Sequence, residues 1–248
     1  MTASTFTQPE KPSKALYQVA GTMALLIALA GLIDALTSMG IEARDNRTVQ
    51  AAEWFRLFQA NRLAAFSSLG AINIITLSLG IPVYLAFNQA YRQERPARVA
   101  FASVLFFAGT AVYLSSNAVF SLFALSQQVP AATAAQKPVL EAAAGALLAQ
   151  GADLTSGTFP GLLLTQAAGL LMTSAMLRGS VFGRWAGRAG LAGFSLMIVF
   201  FSLTAFAPEH YAAAMLLAAP GGLLLTAYQL LLARAFFGLG KASAGGAK

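Results

Sequence analysis

The stretch ALYQVAGTMALLIALAGLIDALTSMG, residues Ala15–Gly40, decides the class of fold, because Asp34 is its only charged side chain. A helix needs about 20 predominantly apolar residues to cross the roughly 30 Å hydrocarbon core of a bilayer. The apolar region of a signal peptide is shorter, about 7–15 residues. The stretch is therefore predicted to be an uncleaved transmembrane helix.

Further apolar runs of similar length follow along the chain. The six predicted spans are Ala15–Gly40, Leu63–Phe87, Val99–Ser126, Thr158–Leu177, Gly190–Ala207 and Tyr211–Phe237. The composition agrees, since 57% of the 248 residues are hydrophobic and only 10% are charged, against about 25% charged in soluble domains. The predicted fold is an all-α, polytopic transmembrane bundle of six spans. Residues 1–14 form an N-terminal tail, 15–237 the six-helix domain and 238–248 a flexible C-terminal tail.

Two loops on the predicted outer side are long enough to carry short amphipathic helices. In the segment Thr48–Arg62, apolar side chains recur at helical spacing: Ala51, Trp54, Phe55 and Phe58. A second short helix is predicted to begin at Pro138, because proline suits the first helical turn. Both are expected to lie in the outer interface, where amphipathic helices bind, and to form a partial lid.

The basic residues predict the orientation. Eleven of the 16 Lys and Arg residues lie in the N-terminal tail, the second loop, the fourth loop and the C-terminal end of the chain from Arg234 onward, and five lie on the other side. The positive-inside rule then places both termini in the cytoplasm of a multi-pass protein of the cell inner membrane. A net charge of +7 on this pattern indicates contact with anionic membrane lipids rather than with nucleic acid.

Counting excludes several kinds of chemistry. The chain has no cysteine and a single histidine, His210, so disulfides, iron–sulfur clusters and zinc sites with several imidazole ligands are ruled out within it. No pair of intramembrane acids and no serine–histidine arrangement is evident. We therefore predict no catalytic residues, no metal and no cofactor.

Polar side chains recur three and four residues apart along several spans, which puts them on one helix face. In the third span Thr110, Tyr113, Ser116, Asn117 and Ser121 share a side, while Ser115 points away. Asp34, Asn73, Asn117 and Gln166 fall at comparable depth in the outer half of the bilayer. The candidate ligand-binding residues are Asp34, Asn73, Tyr113, Ser116, Asn117 and Gln166.

Two interpretations of these residues are open. Transmembrane bundles use Ser, Thr and Asn as interhelical hydrogen-bond partners, which makes the stripes structural. For Asp34 the alternatives are hydration near the outer headgroups, with Arg62 as its partner, and a place in the lining of an outward-facing pocket that binds a cation, a proton or a polar headgroup.

Three segments resemble a bacterial family of six-helix integral membrane proteins known only as a domain of unknown function. They are NRLAAFSSLGAINIITLSLGIPVYLAFNQAYR (Asn61–Arg92), LSSNAVFSLFALSQQVPAATAAQ (Leu114–Gln136) and VFGRWAGRAGLAGF (Val181–Phe194). The resemblance covers about residues 15–208. It implies six helices and a bacterial inner-membrane location, and it brings no catalytic or binding residues.

Function is predicted as two hypotheses. The first is a non-enzymatic accessory, structural or assembly partner, in contact with membrane lipids and with other membrane protein subunits. The alternative is a small transporter, or a binder of a lipid or amphiphile, with an outward-facing polar pocket around Asp34.

Overall fold

The computed structural model describes residues 14–39, 50–179 and 181–245. Its α-helices are α1 (Lys14–Met39), α2 (Ala51–Ala60), α3 (Arg62–Ser68), α4 (Ala71–Ala90), α5 (Pro96–Ser116), α6 (Val119–Ser126), α7 (Lys137–Gly151), α8 (Phe159–Met176), α9 (Arg184–Phe206) and α10 (Tyr211–Gly245). Short 3₁₀ turns lie at Val129–Ala131 and Pro208–His210. The predicted tail before Lys14 and the last three residues lie outside the described residues.

Six of these segments are long and apolar enough to cross a membrane. They are α1, α4, α5 continued into α6, α8, α9 and α10, so the prediction of an all-α bundle with six candidate spans is confirmed. Each span packs against its neighbours in the chain, and α1 closes the ring by packing against both α10 and α4. α8 is the most buried of the six and α10 the least.

The ring closes around a core of aromatic and small side chains. Tyr84 stacks on Phe106 with ring centroids 4.0 Å apart, and Phe87 packs against Phe182 and Phe236. Gly80 permits the approach of α5, because a Cβ at that position would contact the Phe106 ring. Small residues that let helices approach closely are characteristic of transmembrane interfaces.

The second predicted span begins too early in the sequence. Residues Arg62–Ser68 form a separate short helix, α3, and the membrane-crossing helix α4 starts at Ala71. Gly70 separates the two helices with a φ of +86°, a left-handed conformation that glycine adopts without steric cost. Apolar composition alone does not reveal this break.

The third predicted span, Val99–Ser126, is interrupted. α5 ends at Ser116, Asn117 is extended with φ −72° and ψ 127°, and α6 starts at Val119. The break changes the helical register, so Ser121 is exposed and the predicted stripe ends at Asn117. Ser115 is exposed, as expected of its position off the stripe.

The remaining bounds differ less. α9 begins at Arg184, six residues before the predicted Gly190, because the turns that include Ala186 and Gly187 are buried against the bundle. α10 continues past Phe237 to Gly245, and Gly240 lies against α1 beside Gln18. Residues 238–245, predicted to be part of a flexible tail, are therefore helical.

Both predicted amphipathic helices are present, as α2 and α7. With α3 and α6 they form what we call the cap, four short helices at one end of the bundle that share a hydrophobic cluster. Trp54, Phe55 and Phe58 of α2 are buried in it, together with Leu122 of α6 and Leu148 of α7. The apolar face of α2 is thus covered by protein.

Candidate functional site

A buried carboxylate, Asp153, is the centre of the polar cluster beneath the cap. It lies in the loop between α7 and α8 and is 5% exposed. The Tyr113 hydroxyl donates to its Oδ1 at 2.7 Å, and the Asn73 amide donates to its Oδ2 at 3.0 Å. The carboxylate thus joins α4, α5 and the α7–α8 loop through short hydrogen bonds.

Asn117 extends the cluster at the break between α5 and α6. Its Nδ2 donates to the Leu69 carbonyl at 3.0 Å and lies 3.2 Å from the Tyr113 hydroxyl. Its Oδ1 accepts from the Val119 N–H at 2.9 Å, which caps the start of α6. The side chain therefore provides partners for backbone groups that the interrupted helix leaves free. We call Asn73, Tyr113, Asn117 and Asp153 the Asp153 network.

Two glycines let backbone segments approach the network. A Cβ on Gly70 would meet the Tyr113 hydroxyl and would lie 2.6 Å from Cγ of Asp153. A Cβ on Gly151 would meet the Ser116 carbonyl, and the Gly151 carbonyl accepts from the Ala118 N–H at 2.9 Å. The backbone at Gly70 therefore lies directly against the Tyr113 and Asp153 side chains, and the backbone at Gly151 lies against the break between α5 and α6.

The environment of Asp153 favours its neutral form. Burial raises the pKa of its carboxyl from the usual 3.8 to about 6, and the charge of nearby Asp34 acts in the same direction. Hydrogen bonds from Tyr113, from the Leu154 N–H and from Asn73 oppose that rise in pKa. Leu154 has a φ of +58°, an unfavourable value for a residue with a branched side chain, and in this conformation its N–H reaches the carboxylate.

Asp34 lies at the edge of the network. It is half-buried, and its Oδ1 accepts from the Ser67 hydroxyl of α3 at 3.2 Å. The guanidinium of Arg62, the partner expected from the sequence, lies 5.9 Å from the ring centroid of Phe123. Asp34 therefore connects α1 to the cap through α3.

The structure separates the six predicted site residues into three groups. Asn73, Tyr113 and Asn117 meet around Asp153, and Asp34 approaches it beside Ser67. Ser116 donates to the Tyr113 carbonyl at 3.2 Å, within its own helix. Gln166 is buried on α8, and within the described chain its Oε1 has no hydrogen-bond partner.

Sequence reasoning missed Asp153, the acceptor that organises the cluster. The signal was its setting, in which Ala152 and Leu154 flank an acid six residues before the start of α8 at Phe159. An acidic side chain in a loop is a candidate for burial when both of its neighbours are apolar. Once buried, it needs hydrogen-bond donors from the protein in place of water.

Two hollows on the surface lie away from the network. One is lined by residues of α2, Glu53, Arg56, Leu57 and Ala60. The other is lined by Leu85, Asn88, Gln89, Arg92, Pro96 and Ala100, between α4 and α5 at the opposite end of the bundle. Neither includes a residue of the Asp153 network. In the part of the chain that the structure describes, no three acidic or histidine side chains come together in a way that could hold a metal ion.

Comparison with family models, with curated proteins and with solved structures finds no match to this chain. The resemblance to the six-helix bacterial family therefore stays a prediction.

Proposed function

We propose that the protein is a non-enzymatic component of the bacterial inner membrane that serves as an accessory, structural or assembly partner of other membrane proteins. The observation that carries this proposal is that the polar groups of the Asp153 network bind one another and nearby backbone groups. Tyr113 is fully buried and Asp153 nearly so, and each forms short hydrogen bonds to other members. Side chains used in this way hold helices together, as polar groups commonly do in transmembrane bundles.

The exposed surface of α10 supports the partner role. α10 is the least buried span, and Leu216, Leu223 and Leu230 are exposed at a spacing of seven residues. This spacing keeps them on one face of the helix. Such a face packs against lipid or against a helix of another subunit, and we place the partner there.

The inner-membrane location, with both termini in the cytoplasm, is part of the proposal. It rests on the distribution of Lys and Arg. Six arginines lie in the α4–α5 and α8–α9 loops and in the starts of α5 and α9. The two loops lie together at one end of the bundle, where Gly179 packs beside Tyr91 and Glu94.

Cross-linking in native membranes tests the partner role. We expect the tagged full chain to give a defined complex with another membrane protein. Leu223→Trp on the exposed face of α10 should abolish that complex, whereas Val199→Trp, on an exposed position of α9, should preserve it. A protein that stays monomeric in the membrane, or a complex equally insensitive to both substitutions, would contradict the proposal.

One observation favours the alternative, a small transporter or a binder of a lipid or amphiphile with an outward-facing pocket around Asp34. Asp34 is close enough to Asp153 to raise its pKa, and paired carboxylates readily bind a proton or a cation. On this alternative, Asp34→Asn changes ligand binding or transport while the protein still folds, and Ser67→Ala serves as the control for lost packing. An Asp34→Asn variant that behaves as wild type in every ligand assay excludes it.

A further inference from the structure

The hollow between α4 and α5 combines unused polar donors with an apolar wall. It has a volume of about 300 Å³. Within the described residues, the Arg92 guanidinium and the Gln89 amide form no hydrogen bond or ion pair, although both line the hollow. Asn88 is held in place because its Nδ2 donates to the Tyr84 carbonyl at 3.1 Å and also bonds to the Ser103 hydroxyl. The hollow therefore presents two donors beside a fixed amide.

The charge around this hollow is strongly positive. The α4–α5 and α8–α9 loops, which meet here, and the starts of the helices α5 and α9 that follow them carry Arg92, Arg95, Arg98, Arg178, Arg184 and Arg188. In residues 91–98 and 177–188, which contain these arginines, Glu94 is the one acidic residue. The hollow on α2 differs, because Glu53 lines it beside Arg56. An anion is therefore attracted to the hollow between α4 and α5 more strongly than to the one on α2.

An apolar track leads from the hollow along the span. Leu85 and Ile81 precede Gln89 on α4 at intervals of four residues, and they are 46% and 38% exposed. Ala100 and Val104 have the same spacing on α5 and are also exposed. Leu85 and Ala100 both line the hollow, so the track begins between α4 and α5 and extends about 12 Å along α4 from Gln89 to Ile81.

We propose that this hollow is a binding site for an anionic phospholipid, whose phosphate is bound by Arg92 and Gln89 and whose acyl chain follows the apolar track. The planar guanidinium of arginine matches the oxygens of a phosphate. A free phosphate would use the two donors and leave the track empty, whereas a phospholipid occupies both. Basic pockets between transmembrane helices at a membrane surface are known to bind lipid headgroups.

Native mass spectrometry of the purified full chain in neutral detergent tests this site. The probes are phosphatidylglycerol, zwitterionic phosphatidylcholine and inorganic phosphate. We expect phosphatidylglycerol to bind in preference to phosphatidylcholine, and Arg92→Gln to weaken its binding roughly fivefold. The matched control is Arg56→Gln, which removes the same charge from an exposed arginine of the other hollow and should leave the binding unchanged.

A second variant tests the acyl-chain part of the site. Ala100→Phe places a ring at the start of the track and leaves the Arg92 guanidinium in place, so it should weaken phosphatidylglycerol binding without affecting inorganic phosphate. Equal effects of Arg92→Gln and Arg56→Gln on phosphatidylglycerol binding would overturn the proposal. The proposal would also be overturned if inorganic phosphate fully displaced phosphatidylglycerol and Ala100→Phe had no effect on phosphatidylglycerol binding, since that result identifies a site for a free anion.

Discussion

Removing the Tyr113 hydroxyl tests whether the Asp153 network stabilises the fold. Tyr113→Phe keeps the buried ring and deletes only the group that donates to Asp153 at 2.7 Å. The net contribution of a hydrogen bond to a charged group is about 1.5–3 kcal/mol of stability in soluble proteins. Interhelical hydrogen bonds in bilayers contribute about 0.6 kcal/mol on average. We therefore expect the variant to lose about 1–2 kcal/mol of unfolding free energy at pH 8.

The loss should depend on pH, because the protonation state of Asp153 decides the strength of the bond. Below pH 6 the carboxyl is mostly neutral, and a hydrogen bond between neutral groups is about half as strong as one to an ion. The destabilisation by Tyr113→Phe should therefore be smaller at pH 5 than at pH 8. Since the Tyr113 bond lowers the pKa of Asp153, its removal should also raise that pKa further.

The assay is reversible unfolding in mixed micelles with increasing dodecyl sulfate, followed by fluorescence. Trp54 is suited to report on the cap, since it is 1% exposed within the cap cluster. The control is Tyr17→Phe, which deletes the hydroxyl of another buried tyrosine that forms no hydrogen bond in the described chain. Equal stabilities of the two variants at pH 8 would refute the reasoning.

The pKa of Asp153 has a consequence for the wild-type protein. A folded-state pKa raised from 3.8 to about 6 means that the folded state binds the proton more tightly than the unfolded state. The stability contributed by this group is then fully present well below pH 4, is lost as the pH rises through 6, and is absent above about pH 7. At about 1.4 kcal/mol per pKa unit, wild type should lose about 3 kcal/mol relative to Asp153→Asn between about pH 3 and about pH 7. Parallel stability curves for the two proteins would contradict the assignment.

Two further outcomes are expected. Gly151→Ala should unfold the cap or severely destabilise it, because the new Cβ would meet the Ser116 carbonyl. Gly145→Ala on the same helix should be neutral or slightly stabilising, because no atom lies within 4 Å of the new Cβ. Similar melting temperatures of the two variants would argue against this packing. Because the chain has no cysteine, Glu53→Cys should react with an impermeant maleimide in intact cells and Glu94→Cys only after lysis, and the reverse pattern would invert the proposed orientation.

Local sequence patterns predicted the spans but not their interruptions. The spans follow from apolar length, which is a local property. The break at Gly70 depends on a positive φ, and the break at Asn117 depends on partners from distant segments, the Leu69 carbonyl and the Gly151 carbonyl. A continuous apolar run of sequence cannot show either feature.

The candidate site was predicted in part for a related reason. Helical periodicity placed Tyr113 and Asn117 on one helix face. The comparable depth of Asn73 and Asn117 in the bilayer predicted that Asn73 lies near them. Periodicity says nothing about loops, so it left out Asp153, and it included Gln166, whose position on α8 lies outside the hydrogen bonds of the network. The acceptor that unites the donors is fixed by tertiary packing.

The central claim is that Tyr113 and Asp153 interact as a structural pair, and a double-mutant cycle measures this most directly. Unfolding free energies are needed for wild type, Tyr113→Phe, Asp153→Ala and the double variant at pH 8. The short bond between the two side chains predicts a coupling energy of about 1–2 kcal/mol. Additive effects of the two substitutions, with a coupling energy of zero, would contradict the claim.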